Sequence, residues 1–155
     1  IGEDDFLNQI YSEDEMVGLV TNFSRRFSKY RNSPQVEAEL TNSFMNMIEA
    51  GVDIVLGTDA GAVPNHPFGY TGHRELEIYV RLGMSPMQAL VAATSNAAKH
   101  LGLDDLGLLR SGYSADFLIL DKNPLDEIRN TRTINKVYLS GKAIDRAALQ
   151  RRWSP

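Results

Sequence analysis

Asp59 is the residue of this sequence best placed to do chemistry. It stands in Gly57-Thr58-Asp59-Ala60-Gly61, directly after the apolar run Val52-Asp53-Ile54-Val55-Leu56. A short β-branched run closed by glycine reads as a strand, and its density of apolar residues suits one covered on both faces. In parallel α/β architectures, ligands and catalytic groups collect beyond the C-terminal ends of the strands. Small neighbours at such an end let a metal or a substrate approach a carboxylate. The same position also suits an aspartate that caps a turn through its own side-chain hydrogen bonds. Residue type and spacing leave both roles open.

The imidazoles are His66, His73 and His100. They form neither an H-x-H pair nor an H-E-x-x-H helix. His73 starts a helix after a loop and has Glu75 two residues on, so it either contacts substrate or ends the loop. His66, between Asn65 and Pro67, suits either a functional role or the loop's own structure, the latter favoured. His100 lies near a helix end, where the helix dipole accounts for it. The absence of cysteine removes thiolate nucleophiles, disulfides and cysteine zinc sites, so a metal would be held by His, Asp and Glu. The dinucleotide, phosphate-loop and serine-elbow patterns are all missing. Asp59 and Glu75 can be drawn as a glycosidase carboxylate pair, but their separation is not legible in the sequence.

These residues have to be positioned by the elements around them. Ser12-Glu13-Asp14-Glu15 is a capping box, and Met16, Val17, Val20, Phe23 and Phe27 follow at helical spacing, which predicts a helix near 12–30. Ser33-Pro34 predicts the start of a second helix, carried by Val36, Leu40, Phe44, Met47 and Ile48 as far as Gly51. The candidate strand comes next, then a loop of glycine, proline and small polar residues from Thr58 to Gly72. A loop of that length in a compact chain usually lines a site. His73 to Leu82 reads as a third helix. Ser85-Pro86-Met87-Gln88 opens a fourth, predicted to run unbroken to Gly102. Beyond Asp104 the texture changes: 115–120 and 134–139 read as strands, the latter turning at Ser140-Gly141, and Arg146 to Trp153 as a short closing helix.

Composition bounds the rest. The 155 residues are 43% hydrophobic and 23% charged, which suits a globular core and excludes disorder. A formal net charge of −4 offers no basic field for nucleic-acid phosphates or an anionic membrane surface, so neither is expected as a partner. No apolar run approaches the ~18 residues of a membrane span, and the opening residues lack the pattern of a signal peptide. A soluble protein is expected, with the cytoplasm slightly favoured. The first residue is Ile rather than Met, from which we expect a processing, truncation or cloning boundary upstream.

Taken together, Ala50-Gly51-Val52, Gly57-Thr58-Asp59-Ala60-Gly61 and Gly72-His73-Arg74-Glu75-Leu76-Glu77 resemble the last barrel strand and following loop of the amidohydrolase superfamily. The likeness is greatest to its imidazolonepropionase-like and Xaa-Pro-dipeptidase-like members. Later blocks agree in order. Gly83 to Leu90 with Ala92 to Ala98 resembles the helix after the catalytic loop. Leu106-Gly107, Gly112, the run Ala115 to Asp121 and Asn123-Pro124-Leu125 resemble the return into a small β-sandwich, and Val137 to Gly141 its closing hairpin. The ordered set from Gly51 to Ile144 covers about two-thirds of the chain.

The resemblance implies an α/β fold: the C-terminal part of a TIM (β/α)₈ barrel, 1–102, followed by strands of a composite β-sandwich, 103–155. It implies a hydrolase acting on a C–N bond of a small amide or dipeptide-like substrate, with one or two divalent metals, zinc foremost. Asp59 would be metal ligand and proton shuttle, and His73 would contact substrate. The family's other metal ligands would precede Ile1, and a whole barrel takes roughly 250 residues. One aspartate cannot hold a catalytic zinc, which usually takes three protein ligands. The expectation is therefore a C-terminal portion that needs the N-terminal part of the barrel as its partner, is inactive alone, and oligomerises when complete. The rival expectation is a non-catalytic interaction or regulatory module that keeps the scaffold without the metal centre.

Overall fold

The computed structural model describes residues 4–8, 11–27, 33–62 and 66–153. Helices α1 (Asp5–Asn8), α2 (Glu13–Phe27) and α3 (Pro34–Glu49) precede the loop, and α4 (Tyr70–Arg81), α5 (Pro86–Ala93) and α6 (Ser95–His100) follow it. An antiparallel sheet in the order β1 (Phe117–Leu120), β2 (Ile134–Leu139), β3 (Lys142–Ala143) comes next, with a 3₁₀ turn at Ile128–Arg132 between β1 and β2. Helix α7 (Arg146–Trp153) follows the sheet. No helix among the described residues is long and apolar enough to cross a membrane. By proximity the chain groups into two compact units, 1–52 with 57–75, and 53–56 with 76–155.

The helix starts obey local chemistry. Glu15 reaches back to the Ser12 backbone N–H at 2.8 Å while the Ser12 hydroxyl accepts from Glu15 N at 3.4 Å. Those bonds from the Ser12 hydroxyl and N–H hold the Glu15 carboxyl below its ordinary pKa. Ser33 caps α3 by accepting from Val36 N, with Pro34 in the first turn, where its missing N–H costs nothing. Ser85 and Gln88 form the reciprocal box at α5, a device worth about 1 kcal/mol. Residues 28–30 of the first expected helix lie outside the described ones, and α4 begins three residues before the expected His73.

Two expectations fail for physical reasons. The run from Val52 to Leu56 is not a strand: it pairs with no ladder among the described residues, and Val52 is 51% exposed. Its backbone is satisfied otherwise. Asn96 Nδ2 donates to Ile54 O at 3.1 Å, Tyr79 Oη to Val55 O at 2.9 Å, and Leu56 N to Ala92 O at 3.2 Å. With no described strand beside it, the extended backbone bonds to α4, α5 and α6 instead. The fourth expected helix is likewise divided. At Thr94 (φ −124°, ψ −90°) the N–H bonds to Val91 O, three residues back, and the hydroxyl donates to Leu90 O at 2.7 Å. Hydroxyl back-bonding of this kind bends helices. The backbone of Gly107 (φ +81°) packs into the bend, where a Cβ would sit 2.8 Å from Thr94 O and 2.9 Å from Ser95 Cα, so only glycine fits.

Both expected strands form, the first from Phe117 rather than from 115, and the turn falls at Ser140-Gly141 as expected. Phe117 opposes Tyr138, their rings stacked 4.5 Å apart, and Ser140 and Gly141 both take positive φ to close the hairpin. Asp116 holds that turn by accepting from Ser140 N, with Ser114 Oγ donating to its other oxygen at 3.0 Å. Asn123 likewise stabilises its own turn by accepting from Leu125 N at 3.0 Å. In the first unit, Leu7, Met16 and Tyr70 form a buried cluster with Tyr11 and Leu19 against it. In the second, Leu76, Tyr79, Met84, Ala89, Ala92, Ala98 and Ile128 are buried.

Glu77 of α4 and Arg132 of the 3₁₀ turn form an ion pair with side chains only 10% and 12% exposed, and Arg129 lies 4.0 Å from the same carboxylate. Removing one partner strands a charge in a poorly hydrated place. Glu77→Leu is expected to lower the unfolding free energy by about 3–5 kcal/mol. Glu77→Leu combined with Arg132→Leu should cost much less than the two single losses together. Urea unfolding of the four species of this double-mutant cycle checks it, and additive losses would mean that the pair does not interact.

Candidate active site

The loop beyond Leu56 turns sharply at Asp59. Its φ is +51°, the left-handed region that non-glycine residues occupy at a cost of about 1 kcal/mol and that Asp and Asn tolerate best. The two peptide planes that meet at the Asp59 Cα are both held. The plane before it carries the Thr58 carbonyl, which lies 2.7 Å from His66 Nδ1. A carbonyl oxygen only accepts, so Nδ1 is the donor in this contact. The plane after it carries the Asp59 carbonyl, which accepts from Ala62 N at 3.0 Å, and the Ala60 N–H, which donates to Thr58 Oγ1 at 3.2 Å. Gly61 N further donates to His66 O at 3.2 Å.

Helix α4 fastens the start of the same turn. Glu75 Oε1 accepts from Gly57 N at 3.0 Å, which ties the loop to the second turn of α4. At Gly61 (φ +82°) a Cβ would lie 2.3 Å from the Phe68 ring, so the returning loop closes over a backbone without a side chain. Phe68 is itself largely exposed.

These bonds assign the work of the turn. The capping that an aspartate often performs is done by the Thr58 hydroxyl, and the Asp59 carboxylate is exposed and accepts no hydrogen bond among the described residues. A carboxylate held on a fixed Cα with both oxygens uncommitted can take a cation or a proton. Glu75, the other member of the drawn carboxylate pair, is committed to Gly57 N. His73 is half-buried on α4 and has interactions of its own. Two residues apart on a helix is roughly 200° of rotation, so His73 does not share the face by which Glu75 meets the loop. His100 is exposed in the last turn of α6.

Sequence reasoning placed His66 in the loop's structure but missed what it holds. It missed Glu75 and Thr58 as supports of Asp59 altogether. The one legible signal was the glycine spacing at Gly57 and Gly61, which marks tight turns without saying which residue between them goes left-handed. Among the described residues, no three His, Asp or Glu side chains converge as a metal-binding group. Asp59 is the residue of this site whose carboxylate is open to one.

Comparison with known proteins agrees with the resemblance read from the motifs. The amidohydrolase family matches residues 11–144. This chain belongs to that family. Ochratoxinase of Aspergillus niger is 39% identical over 106 residues, 64% of this chain and 21% of its own length. Imidazolonepropionase of Deinococcus radiodurans is 36% identical over 99 residues, 61% of this chain and 24% of its own. Among solved structures, molinate hydrolase superposes with a TM-score of 0.68 at 30% identity, covering 89% of this chain and 32% of that one. The chain thus spans between a fifth and a third of the length of these proteins.

The left-handed turn makes a stability prediction that is independent of activity. Asp59→Asn keeps a side chain suited to positive φ and should leave stability unchanged. Asp59→Ala should cost about 1 kcal/mol relative to Asn. Denaturant unfolding of the two variants side by side tests this, and an alanine variant as stable as the asparagine one would show that the turn is not left-handed in solution.

Proposed function

We propose that this chain is the C-terminal part of a metal-dependent amidohydrolase, in which Asp59 is both a metal ligand and the group that moves the proton. The observation that carries the proposal is the Asp59 carboxylate itself, exposed and uncommitted on a backbone held from both sides. In this reading the last barrel units occupy 1–102 and the strands of a composite β-sandwich 103–155. The family membership and the change from helices to an antiparallel sheet after α6 support that division.

The donor set fits a hard or borderline divalent cation, zinc foremost: the chain offers carboxylate and imidazole but no thiolate. Asp59 contributes one ligand, and the remaining donors come from the rest of the protein, the N-terminal part of the barrel. When bound, such a cation makes water nucleophilic near neutral pH and polarises a scissile carbonyl. Asp59 then accepts the proton of the attacking water and delivers it to the leaving nitrogen, so that a neutral amine departs. Among the described residues no hydrogen bond competes for the carboxylate oxygens. The C–N bond of an amide or dipeptide-like substrate is the bond to be broken, in keeping with the hydrolases among the relatives. His73 stands as a substrate contact on its place in the helix after the loop alone.

The decisive experiment is kinetic. In the complete, metal-loaded enzyme, Asp59→Asn should lower kcat/KM by about 10²–10⁴-fold, the range of a lost general acid–base group, with folding preserved. An unchanged kcat/KM would remove Asp59 from the mechanism. A second measurement addresses the missing ligands: this chain alone, given zinc and a panel of dipeptides and aryl amides, should show no turnover. Sustained, chelator-sensitive hydrolysis by the purified chain would overturn the requirement for the N-terminal part.

A further inference from the structure

We infer, building on the role proposed for Asp59, that His66 is the positioning residue that sets the direction in which the Asp59 side chain leaves the backbone. The direction of the Cα–Cβ bond, from which the side chain extends, is fixed once the two adjoining peptide planes are fixed. The plane following Asp59 is held by bonds from within the turn, Ala62 N to Asp59 O and Ala60 N to Thr58 Oγ1, and these form wherever the turn forms. The plane preceding it depends on His66, whose Nδ1–H reaches the Thr58 carbonyl at 2.7 Å from the far limb of the loop. Glu75 acts one residue earlier, at Gly57 N, and so anchors the loop without orienting that plane.

The imidazole suits this task. It is half-buried, and its own carbonyl accepts from Gly61 N at 3.2 Å, so ring and backbone of one residue grip the turn on both sides of Asp59. A left-handed aspartate held from one side only could relax to the commoner backbone regions and swing its carboxylate away. Catalytic groups must be held within about 0.5 Å of their productive place. Loss of the outer support of such a group typically costs about 10- to 100-fold.

The test compares His66→Ala, His66→Gln and His66→Asn in the complete, metal-loaded enzyme, beside Asp59→Asn. Asparagine carries its amide N–H near the place of Nδ1, whereas glutamine carries it near the place of Nε2. His66→Ala and His66→Gln should lose about 10- to 100-fold in kcat with KM unchanged, measured at saturating metal. His66→Asn should recover most of the loss. Independently of activity, nitrogen NMR of the His66 ring in the unmodified protein should show a proton on Nδ1. Glutamine rescuing as well as asparagine, a KM effect without a kcat effect, or the Nε2–H tautomer would overturn the assignment. If Asp59→Asn is inactive while His66→Ala turns over normally, the His66 assignment alone falls. If Asp59→Asn itself stays active, the role of Asp59 falls and His66 with it.

Discussion

The left-handed backbone at Asp59 is the constraint on which the rest of the site depends. A non-glycine residue with positive φ persists only where its surroundings over-determine it. Here the surroundings are a hydroxyl, an imidazole, a carboxylate and two backbone N–H groups, each bonded within the turn or to its start. The result is a division of labour. Thr58 performs the turn capping, Glu75 anchors the start of the loop, His66 holds the plane before the aspartate, and Asp59 is left with its carboxylate unspent. Had Asp59 capped its own turn, one of its oxygens would be committed to a backbone N–H.

The extended segment just before this turn meets a related constraint. A backbone that runs straight through apolar surroundings must find partners for every carbonyl and N–H it buries. Between Asp53 and Leu56 those partners are an asparagine amide, a tyrosine hydroxyl and a helix carbonyl. Each comes from a helix that follows the loop, so the line of the segment is fixed by α4, α5 and α6 rather than by neighbouring strands. The bend at Thr94 belongs to the same arrangement. It interrupts the helix next to Ala92, whose carbonyl receives Leu56 N, and Gly107 fills the space that a longer side chain would have denied to the bend.

What was legible in the sequence is what depends on neighbours within about four residues. The boxes at Ser12 and Ser85, the Pro34 start and the Ser140-Gly141 turn each carry their cause in their own chemistry. Asp59 was legible as a candidate because a charged residue among glycines at the end of an apolar run is locally unusual. The rest was not, because its causes are distant. Apolar density marked 52–56 as a strand, yet a strand exists only if another lies beside it. The pair of Glu77 with Arg132 joins residues 55 apart in the chain, and nothing near either one announces it. His66 read as a structural loop residue, which is correct as far as it goes; which carbonyl it holds follows from a dihedral angle that no spacing encodes.

The same reasoning bears on why family motifs persist in a chain of this length. Asp116 and Asn123 matched the motifs, and in the structure both are spent on turns, the one on the β2–β3 hairpin and the other on its own loop. Asp59 matched equally well and is spent on nothing among the described residues. Side chains that hold a turn lose a hydrogen bond and about 1 kcal/mol when replaced, so the fold alone gives a reason to keep them. A carboxylate that stabilises no turn and sits on strained backbone works slightly against the fold. Folding among the described residues gives no reason for it, which is in keeping with the role proposed for Asp59.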